Sequence, residues 1–289
     1  MNNSKLRENI IHGNARFPLR VYANQKIGPK KELYCHWHEE VEFIYIEKGQ
    51  ANFNIDMNTV KVSKNQCVFV NSESIHWGYV RGTEECLYEA VVFNLKLLSG
   101  LLYDVCQSNF IDPILKRQYD FPVLPKESNR EVADEMKNIV NSYIEKYNGW
   151  EVSIKASLLK IISLIAKYNE FKVKDGYTKL PDDYKIELIK KVLKFVEINY
   201  KNKIYVEELA EEVNMNEYYF CRFFKGITGK TPVEYINSFR IEEASRILRK
   251  SDKKVLDVAL EVGFDNLSYF IKKFKEYKNC TPGKYRKLK

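Results

Sequence analysis

Residues 255–286 read VLDVALEVGFDNLSYFIKKFKEYKNCTPGKYR, and the fold of the C-terminal part of the chain turns on them. Val255, Val258, Ala259 and Val262 recur at helical spacing, a turn follows at 263–265, and Phe270 and Phe274 lie four apart on a longer second helix. Two short helices of this kind close over one small apolar centre, which makes a helix-turn-helix. The pattern occurs twice. Residues 206–225, VEELAEEVNMNEYYFCRFFK, overlay it with Ala210 on Ala259, Val213 on Val262, Phe220 on Phe270, and Phe224 and Lys225 on Phe274 and Lys275. The offset between the copies is 49 before the turn and 50 after it, so the second turn is one residue longer. Two copies so close together imply two similar helix pairs in one domain.

Outward from the repeat, 289 residues leave room for about two domains. The net charge of +8 is unevenly spread, since residues 216–289 hold 17 basic against 9 acidic side chains. The excess lies on the repeat, where a polyanion such as double-stranded DNA would bind. Six cysteines without a CxxC pair point to reduced thiols in a cytoplasm. No stretch has the length and apolarity of a secretory signal or a membrane span, so the expectation is a cytoplasmic protein with no membrane partner.

Residues up to about 15 are polar and read as an unpinned arm. From 17 to about 95, short runs of Val, Ile, Phe and Tyr alternate with turn residues, which argues an antiparallel sandwich or small barrel. Helical character begins near 127, with candidate helices at 131–147 and 151–170. In the second, Ile154, Leu158, Ile161, Ile165 and Tyr168 form one apolar seam, either packed on the β domain or paired with a second copy. Residues 171–183 read as a linker and are followed by a helix at 185–200. Thr231 and Pro232 then start a helix that runs to about 250 and joins the two helix-turn-helix units. The expected organisation is α+β in two domains: a β-barrel over 1–125, connecting and dimerisation helices over 126–180, and an all-α DNA-binding domain over 181–289.

A helix that reads DNA lies in the major groove with its apolar side turned away from it. In the first unit Phe220 and Phe224 point inward, leaving Tyr218, Cys221 and Arg222 outward, with Arg222 suited to a bidentate contact with guanine. Leu267, Ser268, Ile271 and Lys272 take the equivalent places in the second unit, where Leu267 and Ile271 can meet thymine methyls while Lys272 and Lys273 hold phosphates. Asn216, at the start of the first recognition helix, and Lys225, near its end, complete the DNA-facing set.

The segment from about 198 to 286 resembles the AraC/XylS-type DNA-binding domain of bacterial transcription regulators. The matching residues include Leu209 and Ala210, Gly229, Thr231 and Pro232, Arg240 and Ile241, Ala259, Gly263 and Phe264, and Thr281 through Arg286. The resemblance implies a unit that places two recognition helices in successive major grooves. Two positions depart from that pattern: Asn216 stands where serine is usual, and Cys280 where glycine is usual.

In the N-terminal part, His36 and His38 are followed by Glu42, with Gly49 beyond and His76 at the end of a later strand. Strand alternation puts His36, His38 and Glu42 on one side. This spacing resembles the first motif of the cupin barrel, and His76 closes the second motif, although Asn65 replaces the usual glycine there. The resemblance implies an effector pocket formed by His36, Trp37, His38, Glu42 and His76, suited to a hydroxyl-rich ligand such as a sugar. No cofactor is assigned; a divalent ion such as Zn, Mn, Fe or Ni on His36, His38, Glu42 and His76 is the alternative. The whole reads as a homodimeric transcription activator that responds to a small molecule and works with RNA polymerase rather than as an enzyme. A metal-dependent cupin enzyme with an attached DNA-binding domain is the competing class.

Overall fold

The structure, a computed structural model, describes residues 11–29, 32–174 and 181–287, and the chain divides into two compact units with the boundary in the sequence near residue 180. In the N-terminal unit eight strands form two four-stranded antiparallel sheets. They are β1 (Leu19–Ile27), β2 (Leu33–His36), β3 (Val41–Lys48), β4 (Gln50–Ile55), β5 (Asn58–Ser63), β6 (Cys67–Val70), β7 (His76–Tyr79) and β8 (Cys86–Phe93). One sheet has the order β1-β8-β3-β6 and the other β2-β7-β4-β5.

The reason β3 reads VEFIYI, almost without a polar break, is that both of its faces are covered. Ile44 and Ile46 turn into the space between the sheets with Phe53, Ile55, Val68 and Ala90. Phe43 and Tyr45 turn the other way, into a core completed by two helices. Those helices are α2 (Asn129–Glu145) and α3 (Trp150–Lys167), which follow a short helix α1 (Asp112–Leu115). Glu170 pins the start of α2, its carboxylate accepting from the main-chain N–H of Lys126 and Glu127, both at 2.8 Å, and from the Ser128 hydroxyl.

Of the two readings of the α3 seam the structure bears out packing on the β domain, and the expected linker changes. The seam of Ile154, Leu158, Ile161 and Ile165 is fully buried in the same core as Phe43 and Phe69, so it faces the chain's own sheet and is closed to a second copy. The expected linker begins with structure: β10 (Lys172–Val173) pairs with β9 (Tyr119–Asp120), and Phe171 packs on the rings of Tyr119 and Phe121. Residues 175–180 of that expected linker lie outside the described residues.

Among its described residues the C-terminal unit holds only helices: α4 (Pro181–Asn199), α5 (Val206–Glu211), α6 (Glu217–Thr228), α7 (Pro232–Lys250), α8 (Val255–Glu261), α9 (Leu267–Lys278) and α10 (Pro282–Lys287). Thr231 caps α7 in a capping box with Glu234, and Pro232 occupies the first turn, where its missing N–H costs nothing. The turn of the first pair passes through Asn214 at φ 52° and that of the second through Gly263 at φ 88°. One residue separates Asn214 from the capping Asn216, and two separate Gly263 from the capping Asn266, so the inserted residue falls after the left-handed position.

Candidate functional site

Two sites emerge, one in each unit. In the C-terminal unit, Phe220 and Phe224 anchor α6 from below, and Phe270 and Phe274 anchor α9; all four are fully buried. The opposite face of α6 is open, with Tyr218 and Arg222 exposed, the guanidinium 5.8 Å from the Tyr218 ring centroid. Cys221 is half-buried, and burial pushes its thiol above the usual range, away from thiolate reactivity. Lys225 is exposed at the far end.

On α9, Ser268 and Lys272 are exposed, but Leu267 and Ile271 are half-buried against the core of Phe264, Phe270 and Phe274. The reading that all four stand free is corrected: a short helix resting on aromatic side chains needs an apolar arc wider than its two phenylalanines. Lys273 also differs from a free phosphate anchor, because its ammonium lies 2.8 Å from Glu276 and over the Tyr269 ring.

Sequence reasoning assigned no role here to Asn266, Tyr219 or Tyr269. Asn266 caps α9 through the Tyr269 N–H just as Asn216 caps α6 through the Tyr219 N–H, both at 2.9 Å. The tyrosines themselves hold the same place in each helix. Tyr269 is fastened to the connecting helix by Asn237, whose amide donates to its hydroxyl at 3.0 Å. The signal was available as the same offset of 50 that aligns the phenylalanines.

In the N-terminal unit, the register of β2 against β7 pairs His36 with His76. Glu42 shares the inward parity of Ile44 on β3, and His38 follows just after β2. All four are buried, and one ligand-capable atom from each lies within 4.8 Å of all the others. Glu42 Oε2 is 3.2 Å from His38 Nε2 and 2.9 Å from His76 Nε2. Burial by itself would raise the Glu42 pKa, but hydrogen bonds and positive charge from His38 and His76, where those imidazoles carry the Nε2 proton, hold it well below the usual carboxylate range. Burial, then the neighbouring His76, lowers that of His36.

The second nitrogens decide what the cluster can hold. Nδ1 of His36, His38 and His76 faces the carbonyl oxygens of Tyr34, Glu40 and Ser74 at 2.7, 3.0 and 3.0 Å. Each carbonyl calls for an N–H, so in the neutral rings the Nε2 lone pairs converge on a carboxylate. His76 Nε2 is buried and makes no directed hydrogen bond among the described residues despite its closeness to Glu42. A divalent cation at the centre would satisfy three lone pairs and the carboxylate together, so the residues present fit such an ion.

Trp37, by contrast, is half-buried and lies between the two histidines on an alternating chain, so it is not one of the four convergent residues. In its place the structure brings in His12. All four histidines of the chain are gathered here: His12 is buried, with its ring 5.7 Å from that of His38 and its Nδ1 3.0 Å from the Tyr22 hydroxyl. The expected loose arm is therefore tied down from at least His12 onward.

Burial, and then the charge of His38, lowers the pKa of His12 from 6.5 to about 4. The folded state thus takes up its proton later than the unfolded chain does. Stability carried by this group is complete above pH 6.5 and is lost as pH falls from there towards 4, by about 3 kcal/mol at most. The lowered pKa of His36 acts in the same sense from pH 6.5 downward, and that of Glu42 only below about pH 4.5. In chelator-treated protein the thermal midpoint of this unit should fall across that window, and His12→Gln should flatten the slope; an unchanged slope would remove His12 from the linkage.

Two family profiles match the chain: "Helix-turn-helix domain" over residues 209–288 and "Cupin domain" over residues 24–93. The chain is similar to the uncharacterized HTH-type transcriptional regulator YdeC of Bacillus subtilis, 27% identical over 292 residues that cover 98% of this chain and 96% of that one. The melibiose operon regulatory protein of Escherichia coli is 22% identical over 298 residues, covering 94% and 92%. The transposon Tn10 TetD protein of Escherichia coli is 34% identical over 102 residues, 35% of this chain and 74% of its own length. Paired helix-turn-helix units, the cupin sandwich and these relatives lead to one statement: the chain belongs to the AraC family of DNA-binding transcription regulators, with an N-terminal cupin-like ligand-binding domain.

Proposed function

We propose that this regulator activates transcription as a homodimer, with a small polar effector, such as a sugar, bound at the His36–His38–Glu42–His76 centre and RNA polymerase as its partner on DNA. The observation that carries the reading is the pairing of an enclosed polar centre in one unit with two equally capped, basic-faced helices in the other. A relative named for the melibiose operon supports a sugar as the effector class. Trp37 is dropped from the pocket and His12 is added. Effector binding would shift the balance between states that present the DNA-binding units differently.

On DNA, α6 supplies most of the hydrogen-bonded readout through Arg222 and Tyr218, with Asn216, Cys221 and Lys225 around them. On α9, Ser268 and Lys272 face the groove, while Leu267 and Ile271 offer it only their outer edges and Lys273 is shared with Glu276. Arg222→Ala should weaken specific binding by roughly 1–3 kcal/mol and relax selectivity at one base pair, read by titration against the operator and its point variants. Unchanged affinity and selectivity would remove Arg222 from the readout. Affinity of the full chain should also fall steeply with salt.

A second reading of the cupin centre is favoured by the orientation of the imidazoles. Their Nδ1 atoms are held by main-chain carbonyls and their Nε2 atoms converge, which suits a resident divalent ion held by His36, His38, Glu42 and His76. Such an ion would supply a Lewis-acidic anchor for an oxygen of the effector.

A further inference from the structure

Apart from the histidine centre, the N-terminal unit has a second polar hollow, of about 230 Å³, where the 71–74 loop, the segment after β8 and the segment after α1 come together. Its charged lining is Glu39, Glu73 and Asp120 against Lys96 and Arg117. Arg117 is the residue whose surroundings do not suit it. Its guanidinium comes no nearer to Glu73 than 3.6 Å, beyond hydrogen-bond length, although the group carries five N–H donors. Its Nε is closed to solvent and makes no hydrogen bond among the described residues. A buried donor without an acceptor is costly, so it calls for an explanation. Both members of this loose pair are also held in the left-handed region, Glu73 at φ 64° and Arg117 at φ 56°. Non-glycine residues keep that conformation where their surroundings impose it, and ligand clamps are one such place.

The lining decides the occupant. Asp120 is already engaged, its carboxylate 2.7 Å from Lys174 Nζ. Two carboxylates, Glu39 and Glu73, and two cations, Lys96 and Arg117, then line the space. A simple anion is repelled by the first pair and a simple cation by the second. Nor do the acids here form a metal site, because the one group of three or more convergent ligand atoms among the described residues is the histidine centre. A molecule that carries both charges satisfies all four, with a carboxylate on the guanidinium and an ammonium on the acids. At 37% exposure the Arg117 side chain is open enough for such a ligand to reach its end. The hollow is below the ~300–1,000 Å³ of a site for a drug-sized molecule, so the occupant is small. Val41, Leu95 and Ile114, all buried, complete the lining and suit a short apolar group.

We propose that this hollow is a second ligand site, which takes an α-amino acid with a short apolar side chain, its carboxylate on Arg117 and Lys96 and its ammonium on Glu39 and Glu73. It lies outside the histidine centre and does not rest on the reading given there. One wall is preset, which lowers the cost of binding: the Asn71 amide donates to Phe121 O at 2.9 Å and accepts from Phe121 N–H at 2.8 Å, and the Glu73 N–H donates to His38 O at 2.8 Å.

Calorimetric titration of the full chain with L-alanine, L-valine and L-leucine tests the site. The expected result is saturable binding of at least one of them, and binding about tenfold weaker or less when either charge of that molecule is removed; for L-valine the two probes are isovalerate and isobutylamine. Arg117→Gln and Lys96→Gln should each raise the dissociation constant about tenfold or more, the scale of a lost charged hydrogen bond. Lys64→Gln, the same change of charge on the β5–β6 turn, should leave it unchanged. Lys96 is exposed, so its variant keeps the fold even if Arg117→Gln does not, and thermal midpoints verify both. Failure of all three amino acids to bind, or binding indifferent to both variants, would overturn the site. Equal binding of a probe that lacks one charge would overturn the zwitterion.

Discussion

Gly263→Val is expected to cost the DNA-binding unit at least about 4 kcal/mol, the size reserved for changes the backbone cannot absorb. Gly263 sits at φ 88°, where a β-branched residue is strained by roughly 1–3 kcal/mol before any contact is counted. A Cβ built there would lie 2.6 Å from the carbonyl oxygen of Tyr200, 2.8 Å from that of Lys201 and 3.1 Å from the Arg240 guanidinium carbon. Those carbonyls belong to the segment after α4, and Arg240 holds it in place by donating to Tyr200 O at 2.8 Å and Asn202 O at 2.7 Å. The side chain therefore has nowhere to go without breaking the clamp between α7 and that segment. Gly226→Ala is the matched control. It lies on the exposed side of α6 with no atom within 4 Å of a new Cβ, and alanine there should stabilise by about 0.5–1 kcal/mol. Urea unfolding followed by circular dichroism reads both, and similar midpoints for the two variants would refute the clamp.

The second large effect concerns the cupin centre. If a divalent ion belongs there, protein stripped by chelator and resupplied with zinc at a thousand times its dissociation constant should gain about 4 kcal/mol in stability. His76→Ala should lose nearly all of that gain, with affinity down at least ~100-fold, since changes in outer partners alone reach that scale. The readouts are calorimetric binding and the thermal midpoint of the N-terminal unit. Absence of stoichiometric binding in the native chain would leave the centre as a pocket for an organic effector alone.

The parts of this protein that were legible from sequence are those in which a short-range period meets a strong physical demand. Phe220 and Phe224, with Phe270 and Phe274, had to lie inward because nothing else could fill so small a helical core. His36, His38 and Glu42 could be grouped because strand alternation fixes side, and the cupin-like spacing brought in His76. His12 escaped because it precedes the first strand, where no period applies, and only its burial beside His38 reveals it. The pairing of Lys172–Val173 with Tyr119–Asp120 escaped for a related reason, since two-residue strands carry no pattern. With α3, the apolar seam was visible but its destination was not. A seam that faces a sheet and one that faces another helix look alike in sequence.

The helix between the two DNA-facing units has a consequence for the genome as well as for the protein. With 19 residues α7 is about 28 Å long, comparable to the ~34 Å of one turn of B-form DNA. It is fastened near its start by the capping box and by Tyr277, whose hydroxyl donates to Glu234 O at 3.0 Å, and further along by Asn237 on Tyr269. Adding one residue to such a rod would swing everything beyond it by about 100° around the axis. The spacing of sequence elements in the operator and the length of α7 are therefore tied together: on the proposed reading, a promoter cannot lengthen its site by a base pair and keep this reader, and the reader cannot gain a residue in α7 and keep its promoters.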